Sequence, residues 1–82
     1  MSSKYKFGIV SHEVISDPEL SLSAKGIYSL LCTYANKNRT CYPTISTLAD
    51  SAGVSMSTID RAIKELKSKN YIKREGKLFK LA

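Results

Sequence analysis

Apolar residues recur at spacings of three and four through much of the chain, and the sites where that rhythm stops divide it into elements. Ala24, Ile27, Leu30, Leu31, Tyr34 and Ala35 fall on one face of a helix. Ser23 is the expected N-cap, with Ser21 as its competitor. Gly26 costs this helix roughly 1 kcal/mol against alanine and is expected to let another backbone approach closely. A second stripe, Ile45, Leu48, Ala49 and Ala52, begins after Thr44 and stops at Gly53, which supplies the positive φ of a sharp helix end. Val54 is expected as an apolar plug in the turn. A third stripe, Ile59, Ala62, Ile63 and Leu66, follows Ser55 as cap, with Lys67, Lys69 and Asn70 at its C-terminal end.

Outside the helices the period changes. Tyr5, Phe7 and Ile9 alternate within Lys4 to Val10, the period of a half-buried strand, after a disordered lead-in over residues 1–3. Residues 11–22 read as a loop with at most one helical turn. Thr40 to Tyr42 is short and β-prone, and Pro43 biases Tyr42 to an extended conformation. Tyr71 to Glu75 and Leu78 to Leu81 read as a hairpin around Gly76-Lys77, with glycine at the first central position. A hairpin alone is marginal in water, so Thr40 to Tyr42 is expected as its third strand and the helices as its floor.

Two helices joined by about three residues must cross steeply. The crossing needs a small residue at the contact (Ala49), a glycine in the turn (Gly53) and apolar residues locking the pair (Leu48, Val54, Ile59 and Ala62). The expected fold is therefore α+β: a winged helix-turn-helix with a three-helix core, a small antiparallel sheet and a C-terminal hairpin wing. Its 82 residues suit one domain, with the helix-turn-helix at 44–69 and the wing at 71–81.

Charge sharpens this picture. Residues 1–60 carry five basic and five acidic side chains, whereas residues 61–82 carry eight basic residues against Glu65 and Glu75, so the whole excess of +6 lies in the last quarter. Such concentration favours a polyanionic partner. With the third helix in a major groove, its outward residues would be Ser55, Met56, Ser57, Thr58, Asp60, Arg61 and Lys64. Ser57 and Thr58 suit base edges or phosphate, Met56 a thymine methyl, Arg61 guanine and Lys64 phosphate. Ser55 is first of all a cap. Lys73, Arg74, Lys77 and Lys80 sit on the hairpin, where they either grip the backbone or protect an edge strand from aggregation.

The pieces Phe7-Gly8-Ile9-Val10, Leu20-Ser21, Ala24-Lys25-Gly26-Ile27-Tyr28, Tyr42-Pro43-Thr44, Leu48-Ala49, Gly53-Val54-Ser55, Thr58, Leu66 and Tyr71-Ile72 together resemble the winged-helix domain of Gram-positive phage and plasmid proteins. That domain often stands at the N-terminus of replication initiators. The resemblance implies duplex DNA as partner, a homodimer as one assembly, recognition by Ser55, Ser57, Thr58, Arg61 and Lys64, and a wing contact through Lys73, Arg74 and Lys77. Transcriptional regulators use similar domains, so that role stays open.

Other chemistry finds little support. One histidine and two cysteines nine apart do not make a zinc site, and a buried reduced thiol is the expected state of Cys32. There is no phosphate-binding glycine loop or nucleophile elbow, and nothing places Glu13 and Asp17 in a cleft, so no enzyme, cofactor or metal is expected. No segment has the length of a membrane span, and a cytoplasmic location is expected. The competing reading is a protein-interaction or dimerisation module using Tyr5, Phe7, Phe79 and Leu81, although those side chains are better read as core.

Overall fold

Residues 8–82 are described here by a computed structural model. In chain order the elements are α1 (His12–Ile15), α2 (Leu22–Tyr34), β1 (Thr40–Cys41), α3 (Ile45–Ala52), α4 (Met56–Ser68), β2 (Ile72–Glu75) and β3 (Leu78–Leu81). The fold is α+β: α2, α3 and α4 pack on one another, and an antiparallel sheet in the order β1-β3-β2 leans against them. This is a winged helix-turn-helix, as the order of elements predicts.

One core joins both layers. α2 contributes Ala24, Ile27, Tyr28, Leu31 and Cys32, α3 contributes Leu48 and Ala49, and α4 contributes Ile59, Ala62, Ile63 and Leu66. Cys41, Ile72, Phe79 and Leu81 close it from the sheet. The sheet presents those residues because Ile72 stands opposite Leu81, and Cys41 opposite Phe79, so alternate positions share the inner face. The single turn α1 adds Val14. Burying each large aliphatic side chain contributes about 1.5–3 kcal/mol.

Several expectations change. Ser21, not Ser23, caps α2, accepting from the Ala24 amide at 3.1 Å. Tyr28, absent from the expected stripe, is fully buried, while Tyr34 is 38% exposed. Its hydroxyl explains how Tyr28 is tolerated there: it donates to the Ala82 carbonyl at 2.7 Å and accepts from Arg39 at 3.1 Å. Gly26 faces open space, so it serves no close approach. Gly8 does: a Cβ there would lie 2.7 Å from the Cys32 carbonyl carbon. Val54 is 39% exposed and plugs nothing, and Ala52 is exposed as well. The expected first strand falls mostly outside the described residues, as do the lead-in at 1–3, Tyr5 and Phe7, and Gly8 to Val10 are not strand. Phe79 and Leu81 belong to the core rather than to an interaction surface.

Candidate nucleic-acid interface

The geometry of α3 and α4 follows from three local devices. Thr44 caps α3, its hydroxyl accepting from the Thr47 amide at 3.1 Å. Gly53 ends α3 at φ 69°, and the amides of Gly53 and Val54 both donate to the Ala49 carbonyl, at 2.9 and 3.1 Å. Ser55 then caps α4, accepting from the Thr58 amide at 3.3 Å. The turn is thus Gly53 to Ser55, with the Ala49 carbonyl on one side and the Thr58 amide on the other partnered locally. Leu48, Ala49, Ile59 and Ala62 are all buried about this turn. α4 is also fastened to α2: the Glu65 carboxylate accepts from the Ser21 amide at 2.6 Å and from the Ser21 hydroxyl at 2.8 Å.

With its inner face occupied by Ile59, Ala62, Ile63 and Leu66, α4 turns Ser57, Arg61 and Lys64 to the opposite side, at spacings of four and three. All three are exposed, as is Asp60. Met56, at the first turn, is 55% exposed. Ser55 and Thr58 differ from these. Their hydroxyls lie 3.1 Å apart, Ser55 is committed to the cap, and Thr58 is half-buried.

The β2–β3 hairpin turns at Gly76, with φ 59°. Lys73, Arg74 and Lys77 are exposed on it, and β2 packs against α4. Lys73 pairs opposite Lys80, a repulsion relieved by the Lys80–Glu75 contact at 3.3 Å. Arg74 lies opposite Phe79 and on the same face, its guanidinium 4.9 Å from the ring centroid, while its Nε donates to the Gly76 carbonyl at 3.2 Å. It therefore covers the edge of the core as well as carrying charge. Lys69 is held by Glu19 and by Asp17, the latter at 3.6 Å. Among the described residues, Arg61, Lys64, Lys67, Lys73, Arg74 and Lys77 form no ion pair.

Sequence reasoning missed three anchors. Glu65 is one. Arg39, at φ 62°, is another: it donates to the Ile9 carbonyl at 2.6 Å, to the Tyr28 hydroxyl at 3.1 Å and to the Ala82 carbonyl at 3.1 Å. The third is Asp17, which accepts from the Tyr71 hydroxyl at 2.6 Å and from the Glu19 amide at 2.8 Å. The Tyr71 bond above all, then the Glu19 amide, holds the Asp17 carboxyl below the 3.8 of a free aspartate. Apart from the Glu19 amide, two residues from Asp17, none of these partners lies at a spacing that a helix or strand period reveals.

The remaining features are plain. Cys32 and Cys41 are buried free thiols, and burial pushes Cys41 up to about 11. A groove of about 460 Å³ between α2 and the α3–α4 turn is lined by Gly26, Ile27, Leu30, Ala52, Val54 and hydroxyl side chains. Among the described residues no cluster of three or more His, Cys, Asp or Glu is placed to hold a metal, and no helix is long and apolar enough to cross a membrane.

Compared with known proteins, residues 19–72 match the model of a family described as a helix-turn-helix domain. That span holds α2, β1, α3, α4 and the first residue of β2. No curated protein and no solved structure matches the chain.

Proposed function

The chain belongs to the helix-turn-helix domain family, and from that premise we propose that it binds double-stranded DNA sequence-specifically, with α4 in the major groove and the β2–β3 hairpin on the adjoining backbone. The observation that carries this reading is the set of six cations that form no ion pair among the described residues, on α4 and on the hairpin packed against it. Lysines and arginines left unpaired within the fold are available to displace counterions from phosphate.

Roles divide by position. Arg61 and Ser57 face base edges from the N-terminal half of α4, and Arg61 suits the paired acceptors of guanine. Met56 brings an exposed apolar side chain to the same end and suits a thymine methyl. Lys64 meets phosphate a turn further on. Ser55 and Thr58 act mainly by holding the α4 N-terminus in shape, and the amides of that first turn face the backbone. Lys73, Arg74 and Lys77 contact phosphate from the wing and contribute affinity without sequence information.

The resemblance to winged-helix domains of Gram-positive phage and plasmid replication initiators favours an origin of replication as the target and residues 1–82 as one DNA-binding domain. A homodimer would read two half-sites one helical turn apart. The test is selection from a randomised duplex pool, followed by fluorescence anisotropy at physiological salt against a scrambled duplex. Enrichment of one motif with clear preference over the scramble supports specific recognition, and sites at an origin rather than a promoter support the replication role. Equal weak binding to both duplexes reduces the protein to a nonspecific basic domain. Binding to neither leaves a protein-interaction role.

A further inference from the structure

The strongest further signal is the contact between α4 and the start of α2. α2 has no acidic residue in its first turn, yet its N-terminus is not without a carboxylate. Glu65 of α4 supplies one, held by the Ser21 amide and hydroxyl, while the same hydroxyl accepts from the Ala24 amide. The helix dipole favours an anion at that position. Both oxygens of Glu65 are thereby engaged, 44 residues away in sequence.

Arg61 lies one turn before Glu65. Side chains four apart on a helix are neighbours, and an arginine and a glutamate at that spacing ordinarily attract. Arg61, Glu65 and Ser21 also line one shallow recess, with Ser23, Thr58 and Ala62. Nevertheless Arg61 and Glu65 form no ion pair. The carboxylate one turn further along the helix is turned aside and bound by Ser21.

We infer that Ser21 is a positioning residue for DNA recognition: by clasping Glu65 it keeps Arg61 unpaired and a carboxylate off the DNA-facing side of α4. This rests on the docking reading above, in which Arg61 meets base edges. Breaking the clasp returns Glu65 to Arg61, and the guanidinium must then leave an ion pair before it can bind guanine. The effect has the size of a surface ion pair, roughly two- to fivefold in affinity for the selected duplex.

The test uses the duplex enriched from the randomised pool, its scramble as reference, and the ratio of the two dissociation constants as readout. Ser21→Gly is tolerated at an N-cap and removes the hydroxyl from Glu65 without adding a charge. Its ratio is expected to fall two- to fivefold with a near-native melting temperature. Glu65→Gln alone leaves the ratio unchanged, and S21G/E65Q restores it, because no carboxylate remains one turn from Arg61. An unchanged ratio in S21G, or a double variant as poor as S21G, overturns the inference. Should S21G fail to fold, Ser21→Ala paired with S21A/E65Q makes the same comparison. Arg61→Ala in the same assay separates the two levels. No loss there overturns the docking reading and this inference with it, whereas loss there without rescue by E65Q overturns the inference alone.

Discussion

The two faces of α4 share one backbone and obey different rules. On the inner face Ile59 and Leu66 are completely buried, with Ala62 and Ile63 nearly so, and each side chain is committed to α2, α3 or the sheet. On the outer face Ser57, Arg61 and Lys64 are exposed, and neither cation has an ion-pair partner among the described residues. The inner face answers to packing density, where a lost methylene is felt. The outer face is packed against no other element over most of its width, which leaves its chemistry to be set mainly by what docks there. Substitutions should therefore separate cleanly into those that move stability and those that move binding.

The largest expected effect is on the inner side. Leu66→Ala should destabilise by about 2–5 kcal/mol, through lost burial and a residual cavity, as read by urea unfolding. A loss below 1 kcal/mol would mean that this face repacks freely, and the contrast would weaken. Next comes Arg61→Ala, expected to cost about 1–3 kcal/mol of specific binding and to relax preference at one base pair, with the urea midpoint unchanged. If it shifts the midpoint as Leu66→Ala does, the two faces are not independent. Lys77→Ala on the wing should weaken all duplexes alike and lower the salt dependence by about one unit, with no change in sequence preference. The smallest effect concerns pH. Asp17 titrates below 3.8 in the folded chain, so its ionised form stabilises the fold above that value, and the contribution fades as pH falls through the folded value. Asp17→Asn should flatten the acid limb of a stability–pH profile. Its contacts run through Tyr71 and Lys69 at the far end of α4, so preference between duplexes should not follow it.

What could be read in advance was what is local. Thr44, Gly53 and Ser55 act on amides or carbonyls at most four or five residues away, and sequence spacing exposes such relations. The stripe Ile59, Ala62, Ile63 and Leu66 was legible for the same reason, and with it the opposite face that carries Ser57, Arg61 and Lys64. Ser21 and Ser23 could not be told apart locally, because the choice involves Glu65, far along the chain. Tyr28 lies outside the expected stripe, and its burial depends on Arg39 and Ala82, distant in sequence, as partners for its hydroxyl. Val54 fits the plug of a helix-turn-helix by type, yet in this crossing it borders an open groove. Arg74 reads from sequence as charge alone, since its seat over Phe79 depends on strand register.

Arg39 has a consequence for the topology of the chain. One guanidinium holds the carbonyls of Ile9 and Ala82, at 2.6 and 3.1 Å, so two points 73 positions apart in sequence stand almost side by side. Residues 9–82 therefore trace a nearly closed ring. A linker of about three or four residues would span the gap, and the ring could then be reopened at Gly76-Lys77, where no core side chain is lost. Such a circular permutant of residues 9–82 would keep α4 and its outer face intact while cutting the wing at its tip, dividing the contribution of α4 to binding from that of the hairpin with every side chain of both retained.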